Sequence, residues 1–292
     1  LGISLSGRRT DNMDFRSDRT AGLTNLNINY IPALTRQHAY LLPAIYPYAA
    51  QSTGEMALSG ELIRTFSKGS LLGGTQGASI AINYSRAQGI VRTKINDSTA
   101  VGQAGTLGYG SDFIKAGRTY FEDFNAEITK KISKEVKVAL TYVYIAYNMD
   151  VIRGIPGNGT VYSHSGIADI TWKLSSTRTL RTEFQHLYTR QDQGSWAMLL
   201  AEYSIAPHWF ITALDLFNYV DTDAGRRSHY KTIDKMPVAQ LHYPAGNLAY
   251  ARGSSRISAG YGRQRKGLFC VGGVCREVPA SNGLTISVTS SF

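Results

Sequence analysis

Side chains in this chain alternate between apolar and polar from one residue to the next, and almost nowhere recur at helical spacing. In "GASIAINYSR", Ala78, Ile80, Ile82 and Tyr84 oppose Ser79, Asn83 and Ser85. In "DFNAEITK", Phe124, Ala126 and Ile128 oppose Asn125, Glu127 and Thr129, and "EVKVALTYVY", "IADITWKL" and "LRTEFQHLY" repeat the pattern. Successive side chains of a strand point to opposite faces, so each stretch predicts a strand with one apolar and one polar side. "WFITALDLFNY" is apolar on both parities, and its faces stay unassigned.

About fourteen such segments fit in 292 residues, one every ~21, a spacing long for a soluble sandwich and natural for a membrane barrel. The connections alternate in length. Short ones fall at "KKISKE", "SSTRT", "APH" and "RGSS"; long ones fall at "RAQGIVRTKINDSTAVGQAGTLGYGSD", "DVIRGIPGNGT", "VDTDAGRRSHYKTIDK" and "LFCVGGVCREVPASN", with the tight "QDQG" as the exception. Short turns at one end and long loops at the other are the pattern of an outer-membrane barrel. No run reaches the roughly 18 apolar residues of a spanning helix, which a barrel does not need. The reading is therefore all-β: a transmembrane antiparallel up-and-down β-barrel of about fourteen strands, in one domain spanning 1–292. Leu1, Ile3 and Leu5 already alternate, so the chain opens in mid-strand and further sequence is expected upstream.

Charge on the polar parity carries the distinction from a soluble sheet. Glu127, Glu135, Lys137, Asp169, Lys173, Arg181, Glu183 and Glu202 are read as mixed-sign, lumen-facing ladders within strands. The net charge of +10 comes without a basic helical face, zinc spacing or aromatic-basic motif, so no nucleic-acid partner is expected. Anionic lipid, including lipopolysaccharide, is the expected counter-charge. Three Tyr-x-Arg pairs stand at strand ends on the apolar parity: Tyr84 with Arg86, Tyr188 with Arg190, and Tyr261 with Arg263. An aromatic at the membrane boundary followed by a snorkelling Arg suits a lipid head group at the outer interface.

No catalytic constellation emerges, and no enzyme activity, cofactor or metal is expected. His164 beside Ser165 and His186 in "FQHLY" lack a signature bringing nucleophile and base together. Asp221 and Asp223 carry only a fragment of calcium-loop spacing. Cys270 and Cys275, in "CVGGVC", are the only cysteines and predict a disulfide stiffening the last long loop.

"GLTISVTSSF" ends the chain on a strand with a terminal aromatic. It resembles the closing strand of bacterial outer-membrane barrels, in which Phe292 would be the signal read by the barrel-assembly machinery. "GYGRQRKGLFCVGGVCREVPASNGLTISVTSSF" resembles the C-terminal end of an uncharacterised family of Bacteroidota outer-membrane barrels, with weaker likeness in "TEFQHLYTRQDQGSWAMLLAEYSIAP". The resemblance implies architecture and an outer-membrane location, and transfers no catalytic residue. Within that phylum "DST", at Asp97 to Thr99, is similar to an O-glycosylation signal with Ser98 as acceptor.

A fourteen-strand barrel would be roughly 25–30 Å across. The first expectation is a modest polar pore for small solutes. The alternative is a plugged structural barrel, a subunit of a larger envelope-assembly or secretion complex whose partners are other envelope proteins. Few apolar residues are expected on the inner parity, which disfavours transport of hydrophobic substrates.

Overall fold

The computed structural model describes residues 1–15, 17–18, 28, 30–99, 107–154, 156–219, 241–271 and 274–291. The strands are β1 (Gly2–Asp11), β2 (Gly54–Phe66), β3 (Ala78–Lys94), β4 (Tyr109–Lys131), β5 (Val136–Asn148), β6 (Thr160–Lys173) and β7 (Arg178–Thr189). They continue as β8 (Trp196–Ile205), β9 (Trp209–Asn218), β10 (Leu241–Arg252), β11 (Ser255–Gln264), β12 (Gly267–Val271), β13 (Val274–Val278) and β14 (Ser281–Ser290). One short helix, α1 (Met149–Ile152), caps the β5–β6 connection, with the Asn148 side chain accepting from the Val151 amide. Among the described residues no helix is long and apolar enough to cross a membrane, which says nothing of strands.

Twelve strands form one antiparallel sheet in strict chain order, β1 to β11 and then β14. The strand count differs from the sequence reading: β12 and β13 leave the sheet and pair with each other as a separate hairpin inside the last long connection. The segment between β11 and β14 thus uses its alternation locally. The described sheet is also open, since β1 and β14 are not hydrogen-bonded to each other. Tight turns join strands at 132–135, 174–177, 206–208 and 253–254, the longer connection at 67–77 shares their end, and the other long connections fall at the opposite end.

In the long connection between β1 and β2, residues 30–53 fold back against the sheet and define its inner face. Tyr48 stacks on Phe121 of β4, with ring centroids 4.8 Å apart. The Leu42 amide donates to Gln185 of β7 at 2.8 Å. The same segment lines a cavity with Leu216 of β9 and Arg265 beyond β11. In a flat sheet, five strand intervals from β4 to β9 would span about 24 Å. The sheet therefore curls around the segment.

Parity sorts the rest. Asn83, Ser85, Asp123, Asn125, Ser163, Ser165 and Gln185 point inward and are buried. Their sequence neighbours point outward, where Leu199 is 58% exposed and Ile286 66% exposed, with Leu5, Leu58, Ile128, Leu140, Ile170 and Phe184 alongside. In "WFITALDLFNY", register places Phe210, Thr212, Leu214 and Leu216 inward and Trp209, Ile211, Ala213, Asp215 and Phe217 outward.

Two aromatic rows border the outer apolar band. Ladder register sets Tyr84, Phe124, Tyr144, His164 and Tyr188 side by side across β3 to β7. Trp172, Tyr203, Trp209 and Tyr250 stand near the other ends of their strands. On β6, His164 of the first row and Trp172 share the outer face eight residues apart. That is about 26 Å along a strand, or about 20 Å of height at a tilt near 40°.

Candidate functional site, the occupied inner face

Residues 31–50 read "IPALTRQHAYLLPAIYPYAA", an apolar stretch without period two and with prolines at 32, 43 and 47. Proline removes a ladder donor, so the stretch cannot extend either flanking strand. Its apolar side chains still demand burial, and the inner face supplies it. Leu42, Ile45 and Tyr46 are no more than 1% exposed. Pro43–Ile45 forms a single 3-10 turn that packs among Phe121, Tyr147, Leu187 and Met198. Tyr46 leans on Tyr147 at 5.4 Å, and Tyr147 meets Phe121 edge-on.

Polar contacts fix the segment's register. His38 pairs with buried Asp123, whose Oδ1 accepts from Asn125 Nδ2 at 2.6 Å. Arg36 donates to Asn125 Oδ1 at 2.8 Å and lies 3.7 Å from Glu127. Near the start of β2, fully buried Glu55 accepts from the Gln51 amide at 2.8 Å, from the Tyr48 hydroxyl, and from Arg8 at 3.1 Å. Burial and the adjacent Glu55 carboxylate push the Tyr48 hydroxyl well above its ordinary pKa, so it stays a proton donor.

Below the segment lies a four-membered ion cluster. Arg181 donates to Asp169 at 2.8 and 3.0 Å, to Glu202 at 2.6 Å, and to Glu183. One guanidinium thus serves three carboxylates drawn from β6, β7 and β8. Glu127, Lys137 and Lys173 share the inward parity. Glu135 does not: it sits in the 132–135 turn, where its carboxylate accepts from Ser133, because the hairpin turns one residue later than the alternation implies.

The inner wall is not uniformly polar, contrary to the sequence expectation. Trp196, Met198, Leu200, Leu214, Leu216 and Tyr243 make β8 to β10 an apolar half. A cavity of about 330 Å³ remains between that half and the segment.

Other sequence-predicted residues fall elsewhere. Tyr188 closes β7 and Arg190 follows it, donating to the Tyr188 hydroxyl at 2.7 Å. Tyr261 and Arg263 end β11, and Arg263 donates to the His242 carbonyl at 3.3 Å. Tyr84 and Arg86 are mid-strand rather than terminal, because β3 and β4 run on as a hairpin past the last β2 pair at Met56 and Gln88. There Tyr84 donates to Glu122 at 2.8 Å and Arg86 to Thr119 at 2.9 Å.

Ser98 is exposed in a turn that Asn96 caps, its side chain accepting from the Thr99 amide at 2.8 Å. Backbone register sets Cys270 opposite Cys275 across the β12–β13 hairpin, while their side chains lie outside the described residues. Phe292, Asp221 and Asp223 also lie outside the described residues. His164 faces outward, bonded to Tyr142 at 2.7 Å, whereas Ser165 and Asp169 face inward, so the three cannot act together. His186 meets the Tyr219 hydroxyl at 2.5 Å. Among the described residues, no group of three His, Cys, Asp or Glu is placed to hold a metal.

The sequence matches one family over residues 1–292. A search of curated proteins finds no match. The chain belongs to that family, described as a family of unknown function, DUF6029.

Proposed function

We propose that the sheet is the wall of an integral β-barrel of a bacterial outer membrane, plugged by residues 31–50. In this reading the protein acts as a structural subunit among envelope proteins, with no catalytic role. The packed segment is the observation that carries it: Leu42, Ile45, Tyr46 and Tyr48 occupy the space an open polar pore would leave to water. The outer face supports the membrane setting. Soluble monomers rarely expose contiguous apolar patches beyond a few hundred Å², whereas here apolar side chains run across the sheet between aromatic rows about 20 Å apart, broken at β9 and β10 by the outward Asp215–His242 pair.

In hydrocarbon, each unpaired backbone group costs several kcal/mol. The edges of β1 and β14 therefore require strand pairing, and the reading includes closure along both. Tyr84, Tyr188 and Tyr261, with Arg86 and Arg190, would then meet head groups, including anionic lipopolysaccharide, at the long-loop interface, whereas Arg263 reaches over the Tyr243 ring to the inner cavity.

The lipid assignment is tested at two adjacent residues of β6. Ile170→Arg on the outer face, between the middle of the band and its Trp172 border, is expected to cost about 1–3 kcal/mol of folding stability in bilayers. Thr171→Arg on the inner face, beside Lys137 in register, is expected to cost less than about 1 kcal/mol. Denaturant titration of protein refolded into vesicles measures both. Equal, small effects would contradict a lipid-facing Ile170.

A further inference from the structure

The inner wall thins where the plug ends. Across β9, β10 and β11 one inward-facing row runs Leu214, Ala245, Gly262, each smaller than the last. The Gly262 position is closed to growth, since an added Cβ would lie 2.9 Å from the Ala245 Cβ. The segment packs tightly against β4 and β5 through Tyr48, Phe121, Tyr46 and Tyr147, and leaves about 330 Å³ open on the β9–β11 side.

Water is a poor occupant of that space. The volume would admit on the order of ten waters, each needing two to four polar partners. Leu214, Leu216, Ala245, Phe121 and Pro43 offer no side-chain partner. The charged lining has one sign: Arg36, Arg263 and Arg265 border the cavity with His38 and the neutral Thr35, Gln37 and Gln264, and no carboxylate does among the described lining residues. Arg36 and His38 are engaged with Glu127 and Asp123. Arg263 lies over the Tyr243 ring at 5.1 Å, and Arg265 is only 8% exposed, placing guanidinium charge beside an apolar hollow.

We propose that this cavity is a binding site for a small amphipathic anion, an apolar body ending in a carboxylate. The apolar body lies against Leu214, Leu216 and Ala245, and the carboxylate meets Arg263 and Arg265. The volume is at the small end of ligand sites, near 300 Å³, which suits a medium-chain or aryl acid better than a full lipid. The inference depends on the packed segment and not on what covers the outer face.

Octanoate is the probe, titrated calorimetrically into the purified protein in nanodiscs, with empty nanodiscs subtracted. One saturable site per chain is expected. Octanol and octylammonium, with the same body but without the negative end, should bind at least tenfold more weakly, as should octanoate to Arg265→Gln. Leu216→Trp fills the hollow and should abolish binding; Ala245→Leu, a smaller filling of the same space, should weaken it at least tenfold. Far-UV circular dichroism identifies which of the two filled variants keeps its β spectrum. Octanol binding as tightly as octanoate, or a folded, filled variant binding octanoate like the parent, would overturn the proposal.

Discussion

Deleting residues 33–49 is expected to convert a silent protein into a conducting one in planar bilayers. The deletion removes Leu42, Ile45, Tyr46 and Tyr48 from the inner face while leaving every strand ladder intact. The wall it uncovers over β3 to β7 is mixed: Asn83, Asp123, Asn125, Ser163, Ser165 and Gln185 point inward beside Phe121, Val143, Ile145, Tyr147 and Leu187. Its polar side chains, with the Arg181 cluster below them, admit water once the covering is gone. The intact protein should show no steady single-channel steps, and the deletion variant should show them. A deletion variant that keeps its β spectrum yet stays silent would contradict the plug, as would steady conductance by the intact chain.

Arg181→Ala is the second large effect. It leaves Asp169, Glu183 and Glu202 facing one another without their shared cation, and Glu183 is only 4% exposed. Removing one partner of a buried ion cluster costs about 3–5 kcal/mol, and the third of Arg181 that stays exposed lowers the expectation to about 2–3 kcal/mol. The double variant Arg181→Ala with Glu183→Gln should recover about half of that loss, because one of the three repelling charges is gone. Denaturant midpoints of the single and double variants measure it. If Glu183→Gln deepens the loss, the carboxylates do not repel and the cluster has been misread.

The two periodicities of this chain were legible to different degrees. Period two assigned the faces of β3, β4, β5, β6 and β7 because the charged and small polar residues keep to one parity, although Phe121, Val143, Ile145, Tyr147, Ile167 and Leu187 share that inward parity. It failed on β9, where the inner wall is itself apolar, so Leu214 and Leu216 look no different from Ile211 and Phe217. The inward parity of Arg181, Asp169, Glu183 and Glu202 was readable, but their gathering on one guanidinium depends on the register of three strands. Glu135 was misassigned because alternation does not mark where a turn ends.

The plug escaped pattern reading for a physical reason. Residues 31–50 have neither helical nor strand period, so periodicity ranks them as loop. Their composition held the signal: three prolines exclude the ladder, while Leu41, Leu42, Ile45, Tyr46 and Tyr48 are too apolar for a solvated connection. The cavity was invisible for a similar reason. Leu214, Ala245 and Gly262 are unremarkable in their own strands and form a narrowing row only when register aligns them.

Whether hydrocarbon surrounds the outer face is tested most directly by collision of nitroxide labels, placed singly along β6, with dissolved oxygen and with a water-soluble nickel chelate. In vesicles, labels at Gly166, Ala168 and Ile170 should meet oxygen strongly and nickel hardly at all. Labels at the intervening Ile167 and Asp169 should show neither preference for lipid nor high oxygen exposure. Nickel collisions at Ala168 and Ile170 as frequent as at the 174–177 turn would mean that water bathes that face, and the membrane-barrel account would be wrong.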